Sequence, residues 1–135
     1  METKTIKQKI KFAATPAKIY NMLMDQKIVS EFTGGKCKIS QKVKGKFEIF
    51  DSYCTGYNIV LDPGKLIIQA WHFKEDGWPE NHMSSCTFEL KKIVGGCELE
   101  FIQEKVPAHK AEDLKKGWKT YYWNPMKKML KGKAK

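Results

Sequence analysis

The chain has 135 residues, of which 41% are hydrophobic and 12% are aromatic. These values are typical of one folded domain and exclude a disordered chain. The formal net charge is +10, and the basic residues include no arginine. Because the guanidinium group of arginine is the usual ligand of guanine bases, we expect no specific nucleic-acid partner.

The chain opens with a predicted strand over residues 5–12. Apolar or amide side chains alternate there with lysines, the pattern of a half-buried strand with one face in solvent. No apolar segment of a secretory signal precedes the strand, and the longest apolar runs are too short to cross a bilayer, so we expect a cytoplasmic protein without membrane insertion. The inward face of the strand would carry Ile6, Gln8, Ile10 and Phe12.

Two short helices are predicted next. Thr15 followed by Pro16 is a typical N-terminal cap for a helix over residues 17–23. Asp25 can cap the second helix, which would end at the glycine pair that begins with Gly34.

Six further strands are predicted from alternation and from frequent Phe, Ile, Val, Tyr and Thr. Turn-forming residues such as Lys44-Gly45, Asp51-Ser52 and Gly95-Gly96 separate them. Such short connections favour an antiparallel meander. The predicted strands are residues 36–41, 46–52, 54–61, 65–72, 83–91 and 97–106.

The four cysteines are predicted to be buried, reduced thiols. They form no C-x-x-C pair, three of them fall in predicted strands, and disulfides are rare in the cytoplasm. The three histidines share no ligand spacing with them, so we expect no metal site and no cofactor. The residues concerned are Cys37, Cys54, Cys86 and Cys97, with His72, His82 and His109.

The residues after Pro107 predict a long terminal helix. At 100° per residue, most of its apolar side chains fall in one core-facing stripe about 140° wide. Trp123 falls outside the stripe among lysines, so we expect it either packed at an edge or exposed to a partner. Pro125 lacks a backbone donor, which predicts a bend there or a new turn capped by Asn124. The stripe consists of Leu114, Trp118, Tyr121, Tyr122, Pro125, Met126 and Met129.

This order of elements predicts an α+β fold with one domain over residues 1–135. A curved antiparallel sheet of six to seven strands must cover its apolar face, and the terminal helix is the only predicted element long enough to lie across it. The lysine-rich residues 131–135 are expected to fray.

Several short motifs carry a resemblance to a known family over about residues 6 to 131. The most specific are W-P-E-x-H from Trp78 to His82 and G-W-x-x-Y-Y from Gly117 to Tyr122. Further matching stretches are Phe12-x-x-x-Pro16-x-x-Ile19-Tyr20, Phe32-Thr33, Gly45-Lys46-Phe47-x-x-x-Asp51, Gly56, Leu61-x-Pro63-x-Lys65, Trp71-x-Phe73-Lys74 and Val106-Pro107-Ala108. With this element order, the chain resembles the helix-grip fold of the Bet v 1/START-like superfamily, and within it the C-terminal domain of the activator of Hsp90 ATPase homologue 1 family.

The resemblance implies a protein that binds an Hsp90-type chaperone, favours its ATP-competent conformation and has no chemistry of its own. Two-domain members of the family also carry an N-terminal domain that contacts the chaperone's middle segment, for which 135 residues leave no room. The chain departs from the family at His72, where arginine is usual, and at Lys74 to Asp76, which lengthen the next loop. Chaperone binding is therefore implied more firmly than full ATPase stimulation.

No catalytic arrangement is apparent in the sequence, so we expect no enzyme. The serines lack a G-x-S-x-G context, and the glycine pairs lack the strand-to-helix setting of a phosphate loop. His72, beside Trp71, is more typical of a strand face than of a general base.

Partner binding is predicted to use an exposed strip that combines large aromatics with charged residues. Such a surface suits an acidic partner, because lysines surround the aromatic side chains. The predicted partner-binding residues are Trp78, Glu80, His82, Lys119, Trp123 and Lys127.

The second hypothesis is a carrier or sensor that binds a small hydrophobic ligand between the sheet and the terminal helix. The 16 aromatic residues (7 Phe, 5 Tyr and 4 Trp) favour a filled space over an open one. Asn58 and Gln69 are the expected polar anchors. The predicted lining is Phe47, Ile49, Asn58, Ile67, Gln69, Trp71, Cys86, Phe88, Leu99, Phe101, Trp118, Tyr122 and Met129.

Overall fold

The computed structural model describes residues 1–133 and contains one antiparallel sheet of seven strands. The spatial order is β1-β7-β6-β5-β4-β3-β2, so the first strand lies at one edge beside the last. This arrangement confirms the predicted helix-grip fold. The strands are β1 Thr3–Phe12, β2 Lys38–Ile39, β3 Lys46–Ile49, β4 Cys54–Asp62, β5 Leu66–Phe73, β6 Ser84–Ile93 and β7 Gly96–Pro107.

Two helices follow β1, and a continuous helical segment follows β7. The first two are α1 Pro16–Met24 and α2 Gln26–Thr33. The last segment, called the terminal helix below, consists of a 3-10 turn Ala108–Lys110, α3 Ala111–Trp118, a π-helical turn Lys119–Trp123 and α4 Asn124–Lys133.

The caps of the first two helices lie where the sequence predicted them. The Thr15 hydroxyl accepts a hydrogen bond from the Lys18 amide at 3.2 Å. Asp25 ends α1 and also caps α2, because its carboxylate accepts from the first amides of α2 at 2.9 and 3.2 Å. Gly34 ends α2 in the left-handed region, at φ +82°.

The third strand ends earlier than predicted. Phe50, Asp51 and Ser52 have φ values of +58°, +56° and +69°, which lie outside the region of regular β-strands. The prediction of a strand through residue 52 is therefore wrong, although Asp51-Ser52 does lie in the turn expected there. The predicted strand over 36–41 is reduced to the two residues of β2.

One hydrophobic core lies between the sheet and its helices. α1 contacts β6 and β7, and α2 contacts the terminal helix. The largest fully buried side chains include Phe88, Phe101, Leu99 and Met126. All four cysteines are free and buried, as predicted.

The terminal helix departs from the regular α-helix assumed for the sequence. In the π-helical turn the Asn124 amide donates to the carbonyl of Lys119, five residues earlier, so this turn holds about one residue more than an α turn. The extra residue turns Trp123 into the core, where it is 3% exposed, and leaves Tyr121 49% exposed. The prediction that Tyr121 faces the core is therefore wrong. Of the two alternatives for Trp123, packing at an edge agrees with its contact to Gln8 of β1, and exposure to a partner does not.

The end of the chain is helical as far as it is described. Residues 131–135 were expected to fray, but α4 extends to Lys133, so residues 131–133 are helical. Residues 134 and 135 lie outside the described residues. Among residues 1–133, no helix combines the length and the apolar character needed to cross a membrane.

Candidate functional site

The predicted ligand cavity under the terminal helix is filled by side chains. Seven of the predicted lining residues surround a space of about 10 Å³, which is the lower limit for one water molecule. They are Phe47, Ile49, Ile67, Gln69, Trp71, Phe88 and Tyr122. Asn58, Cys86, Leu99, Phe101 and Trp118 are buried in the same core, whereas Met129 of α4 is only half-buried and lines a space beside α2.

Aromatic rings supply most of this filling. The Trp71 ring centroid lies 4.9 Å from that of Phe47 and 5.0 Å from that of Trp118. Trp118 in turn lies 4.8 Å from Tyr122 and 4.5 Å from Phe101. Edge-to-face and tilted contacts at these distances stabilise aromatic clusters, so the terminal helix is held against the sheet mainly by rings.

The two predicted polar anchors are occupied by the protein itself. Gln69 donates to the Asn58 side chain at 2.9 Å and accepts from the Trp71 indole at 2.9 Å. Asn58 donates to the carbonyls of Ser40 and Lys42 at 2.7 and 3.0 Å. Their hydrogen-bonding groups thus fix the core and the β2–β3 connection.

Two further glutamines bind tryptophans and were not among the predicted site residues. The Trp118 indole donates to Gln103 at 2.9 Å, and Gln103 donates to the Ser84 hydroxyl at 2.9 Å. The Trp123 indole donates to Gln8 at 2.9 Å. Among the described residues, no buried side-chain nitrogen or oxygen lacks a hydrogen-bond partner.

A larger opening lies beside the filled centre. This aromatic groove, lined chiefly by Phe50, Tyr53, Phe73, Trp118 and Tyr121, has a volume of about 440 Å³, within the range of small-molecule sites. An ion pair crosses its rim, with Glu75 and Lys110 3.4 Å apart, and the Tyr53 hydroxyl donates to the same carboxylate.

Trp78 is not part of an exposed strip, contrary to the prediction. It is 5% exposed, and its ring packs 4.9 Å from that of Phe73. Its indole donates to the His82 carbonyl at 2.8 Å, so the loop between β5 and β6 folds back over the ring. The prediction grouped Trp78 with charged neighbours as a surface aromatic, but its ring is buried because the loop folds back over it.

The six predicted partner-binding residues lie in two places. Lys119 and Lys127 are exposed on either side of the buried Trp123, beside strand β1. Glu80 is exposed on the β5–β6 loop, and the half-buried His82 holds that loop to the carbonyl of Lys105 through ring Nε2 at 2.6 Å.

Neither place has the groups of a metal site. Among residues 1–133, no group of three or more His, Cys, Asp or Glu side chains is arranged to hold an ion.

The buried thiols of the core are also chemically quiet. Burial raises the pKa of the Cys54 thiol, and nearby Cys37 raises it further; burial raises the pKa of Cys86 well above its ordinary value. Both thiols are therefore protonated near neutral pH and poorly reactive.

Comparison with known proteins matches this chain to one family. The model of the family described as "Activator of Hsp90 ATPase homolog 1-like protein" covers residues 13–131. The chain belongs to this family.

Relatives of the Activator of Hsp90 ATPase homolog 1-like family are longer than this chain. The human Activator of 90 kDa heat shock protein ATPase homolog 1 is 30% identical over 116 residues, which are 86% of this chain and 34% of that protein. The Dictyostelium discoideum homologue is 30% identical over 120 residues, 87% of this chain and 30% of that protein. The chain thus spans about one third of these curated relatives.

Solved structures agree on the fold of this family member. An HSP90 activator from Plasmodium falciparum has a TM-score of 0.85 at 20% identity, over 93% of this chain and 95% of that one. A protein from Mesorhizobium loti has a TM-score of 0.82 at 17% identity, over 95% and 97% of the two chains.

The motifs that resemble the Hsp90-activator family have structural roles in this chain. In W-P-E-x-H, the Trp78 indole donates to the His82 carbonyl within the β5–β6 loop, and the His82 ring holds the loop to β7 at Lys105. Lys105, at φ +63°, lies at an irregularity in the β1–β7 pairing. In G-W-x-x-Y-Y, Trp118 and Tyr122 form the centre of the ring cluster. The two most specific of the matching motifs therefore attach the β5–β6 loop and the terminal helix.

Proposed function

We propose that this chain is an Hsp90 co-chaperone-like domain that binds an Hsp90-type chaperone in the cytoplasm and modulates its ATPase activity. The observation that carries the proposal is the family match over residues 13–131, together with 30% identity to a human protein named as an activator of that ATPase. Since the chain spans about one third of that relative, the activity of the whole relative is part of the proposal.

The proposed domain acts by binding and has no chemistry of its own. Exposed Glu80, Lys119 and Lys127 would contact the chaperone directly. Trp78 and Trp123 are buried, so we assign them the role of fixing the backbone beneath those contacts.

An NMR titration with the Hsp90-type chaperone of the same organism tests this proposal. We expect shifts of amides around the exposed charged residues at tens of micromolar chaperone, and a change in ATP turnover at saturation. The variant K119E/K127E should bind more weakly, while the matched variant K42E/K65E, which changes exposed lysines elsewhere, should bind as the wild type does. Absence of any shift at tens of micromolar would contradict the proposal.

A second candidate function is binding of a small hydrophobic ligand, and the aromatic groove is the observation that favours it. The groove is open at about 440 Å³, unlike the filled space that was predicted as the cavity. Native mass spectrometry of the purified protein should then show a co-purifying apolar compound, which a bulky substitution at Gly117 in the groove wall would displace. If every preparation showed only the mass of the protein without a bound compound, and hydrophobic probes did not quench tryptophan fluorescence, the carrier hypothesis would be contradicted.

A further inference from the structure

We propose that the free edge of β1 binds an extended acidic segment of a partner protein, which adds to the sheet as an eighth strand. The surface is the lysine groove, defined by Lys9 and Lys11 on β1 and by Lys119 and Lys127 on the terminal helix. The inference concerns the chemistry of this surface and does not depend on the chaperone proposal.

The backbone of β1 is the first part of the argument. This strand has ten residues and pairs on one side only, with β7. Alternate amide and carbonyl groups along an edge strand therefore point away from the sheet and are free to pair with an added strand. Strand addition of this kind is a common mode of peptide recognition.

The space beside β1 is the second part. The groove between β1 and the terminal helix has a volume of about 520 Å³. Its floor is the edge of the buried Trp123, which Gln8 of β1 holds through the indole N–H at 2.9 Å. A segment lying about 4.8 Å from β1 would thus rest on a fixed base.

The charge of the groove selects the partner. Four lysines and one glutamate, Glu98, line the groove, which gives a formal charge of +3. Lys9 and Lys11 alternate along β1 with Gln8 and Ile10, so their side chains extend from the face of the strand away from the terminal helix. Lys9 already has an acidic neighbour, Glu100 at 3.6 Å. Lys119 and Lys127 form no ion pair within residues 1–133, so they are the cations available to a partner's carboxylates.

A peptide fits this groove better than a nucleic acid or a membrane. Trp123 is 3% exposed and stacks on Trp118 at 5.6 Å, so no ring is presented for a base to stack on. Ile10 is 7% exposed, so the groove has no apolar surface to insert into lipid.

A second copy of this chain is a poor occupant of the groove, because its own β1 edge carries the same positive charge. Pairing two β1 edges would bring the lysine rows of both copies together, and edge lysines are a common protection against such pairing. The same lysines attract a strand of opposite charge, so the edge discriminates by charge.

Peptide titration tests the inference. The probe is a ten-residue peptide of alternating glutamate and valine with blocked ends, added to the 15N-labelled full chain at low salt. We expect saturable shifts, and slower hydrogen exchange of β1 amides that are otherwise open to solvent. The variant K119E/K127E should weaken binding about tenfold, and K42E/K65E should leave it unchanged.

A second peptide separates strand addition from simple charge attraction. It has the same composition with D-residues at alternate positions, so it keeps the charge and cannot form a regular strand. Equal binding of both peptides, shifts confined to residues away from β1, or an equal loss in the two lysine variants would overturn the inference. So would tighter binding of an oligonucleotide or of vesicles with anionic lipid through the same lysines.

Discussion

Three core tryptophans each donate an indole hydrogen bond to a glutamine side chain from the sheet. The pairs are Trp123 with Gln8, Trp71 with Gln69 and Trp118 with Gln103. An unpaired indole N–H in this core would lose its bond to water without replacement. The glutamines therefore allow the rings to fill the interior without leaving a polar atom unsatisfied.

Replacing Gln103 by leucine should destabilise the fold. The change removes the acceptor of the Trp118 indole and the donor to Ser84, and we expect the free energy of unfolding to fall by about 1–3 kcal/mol. Urea denaturation measures the change. In a W118F background the same substitution should cost clearly less, and equal costs in both backgrounds would show that the Trp118 bond contributes little.

The buried thiols make the stability depend on pH above neutrality. Burial raises the pKa of both Cys54 and Cys86 in the folded state, whereas in the unfolded chain a thiol ionises near pH 8.5. Each thiol therefore contributes to the free energy of unfolding below that pH. This contribution is lost progressively as the pH rises above it, since only the unfolded state releases the proton. The slope should be about 1.4 kcal/mol per pH unit for each thiol.

Urea unfolding under reducing conditions at pH 7.5, 8.5 and 9.5 would measure this slope. The variant C86A should show about half of the loss attributable to the two thiols. A free energy of unfolding that stays constant up to pH 9.5 would mean that the thiols ionise in the folded protein.

At the scale of elements, the π turn determines which side chains of the terminal helix face inward. Trp118 and Trp123 are five residues apart, yet both are buried and their rings stack at 18°. In an α-helix, residues four apart share a face and residues five apart do not. The additional residue in the turn is what brings both rings to the sheet.

Deleting Thr120 should therefore be tolerated. Thr120 is exposed within the π turn, and its loss would place the two tryptophans four apart in an ordinary α-helix. We expect a change in the free energy of unfolding within about 2 kcal/mol, because the large core side chains keep their face.

Deleting the exposed Lys116 of α3 is the matched control. It would rotate Leu114 by about 100° relative to Trp118, and we expect a loss of at least about 3 kcal/mol. Thermal and urea unfolding of the two variants should differ clearly. Similar losses would show that the π turn itself is required.

The sequence predicted elements well where a local signal exists. Thr15, Asp25 and Gly34 are recognisable caps because each acts on its own neighbours. The π turn has no such signal, since one extra residue in a helix leaves the composition unchanged. Pro125 lies just beyond it and was read from the sequence as a bend or as a new turn capped by Asn124. Asn124 is itself helical, at φ −66° and ψ −47°, and continues from the π turn, so it does not cap a new turn.

The site was harder to predict than the fold. The parity of β7 places Gln103 on the same face as Leu99 and Phe101, so its burial could have been inferred from alternation. The burial of Trp78 could not, because its cover comes from His82 and from Phe73 through a loop that folds back. Contacts between distant segments decide such cases.

For the whole molecule, a net charge of +10 should affect how fast it finds an acidic partner. For the proposed partner, an Hsp90-type chaperone, we expect the association rate to fall roughly tenfold between 50 and 300 mM salt, while the dissociation rate changes little. Stopped-flow measurements at several salt concentrations would determine both rates. A rate independent of salt would show that the lysines play no part in the encounter.

The three contacting indoles of the core have an optical consequence. Trp71 comes from β5, Trp118 precedes the π turn and Trp123 is the last residue of that turn, and successive rings are 5.0 and 5.6 Å apart. At such separations, the strong far-ultraviolet transitions of neighbouring indoles couple and produce a pair of bands of opposite sign in circular dichroism. The terminal helix therefore carries an intrinsic spectroscopic reporter, and its detachment from the sheet could be followed without any added dye.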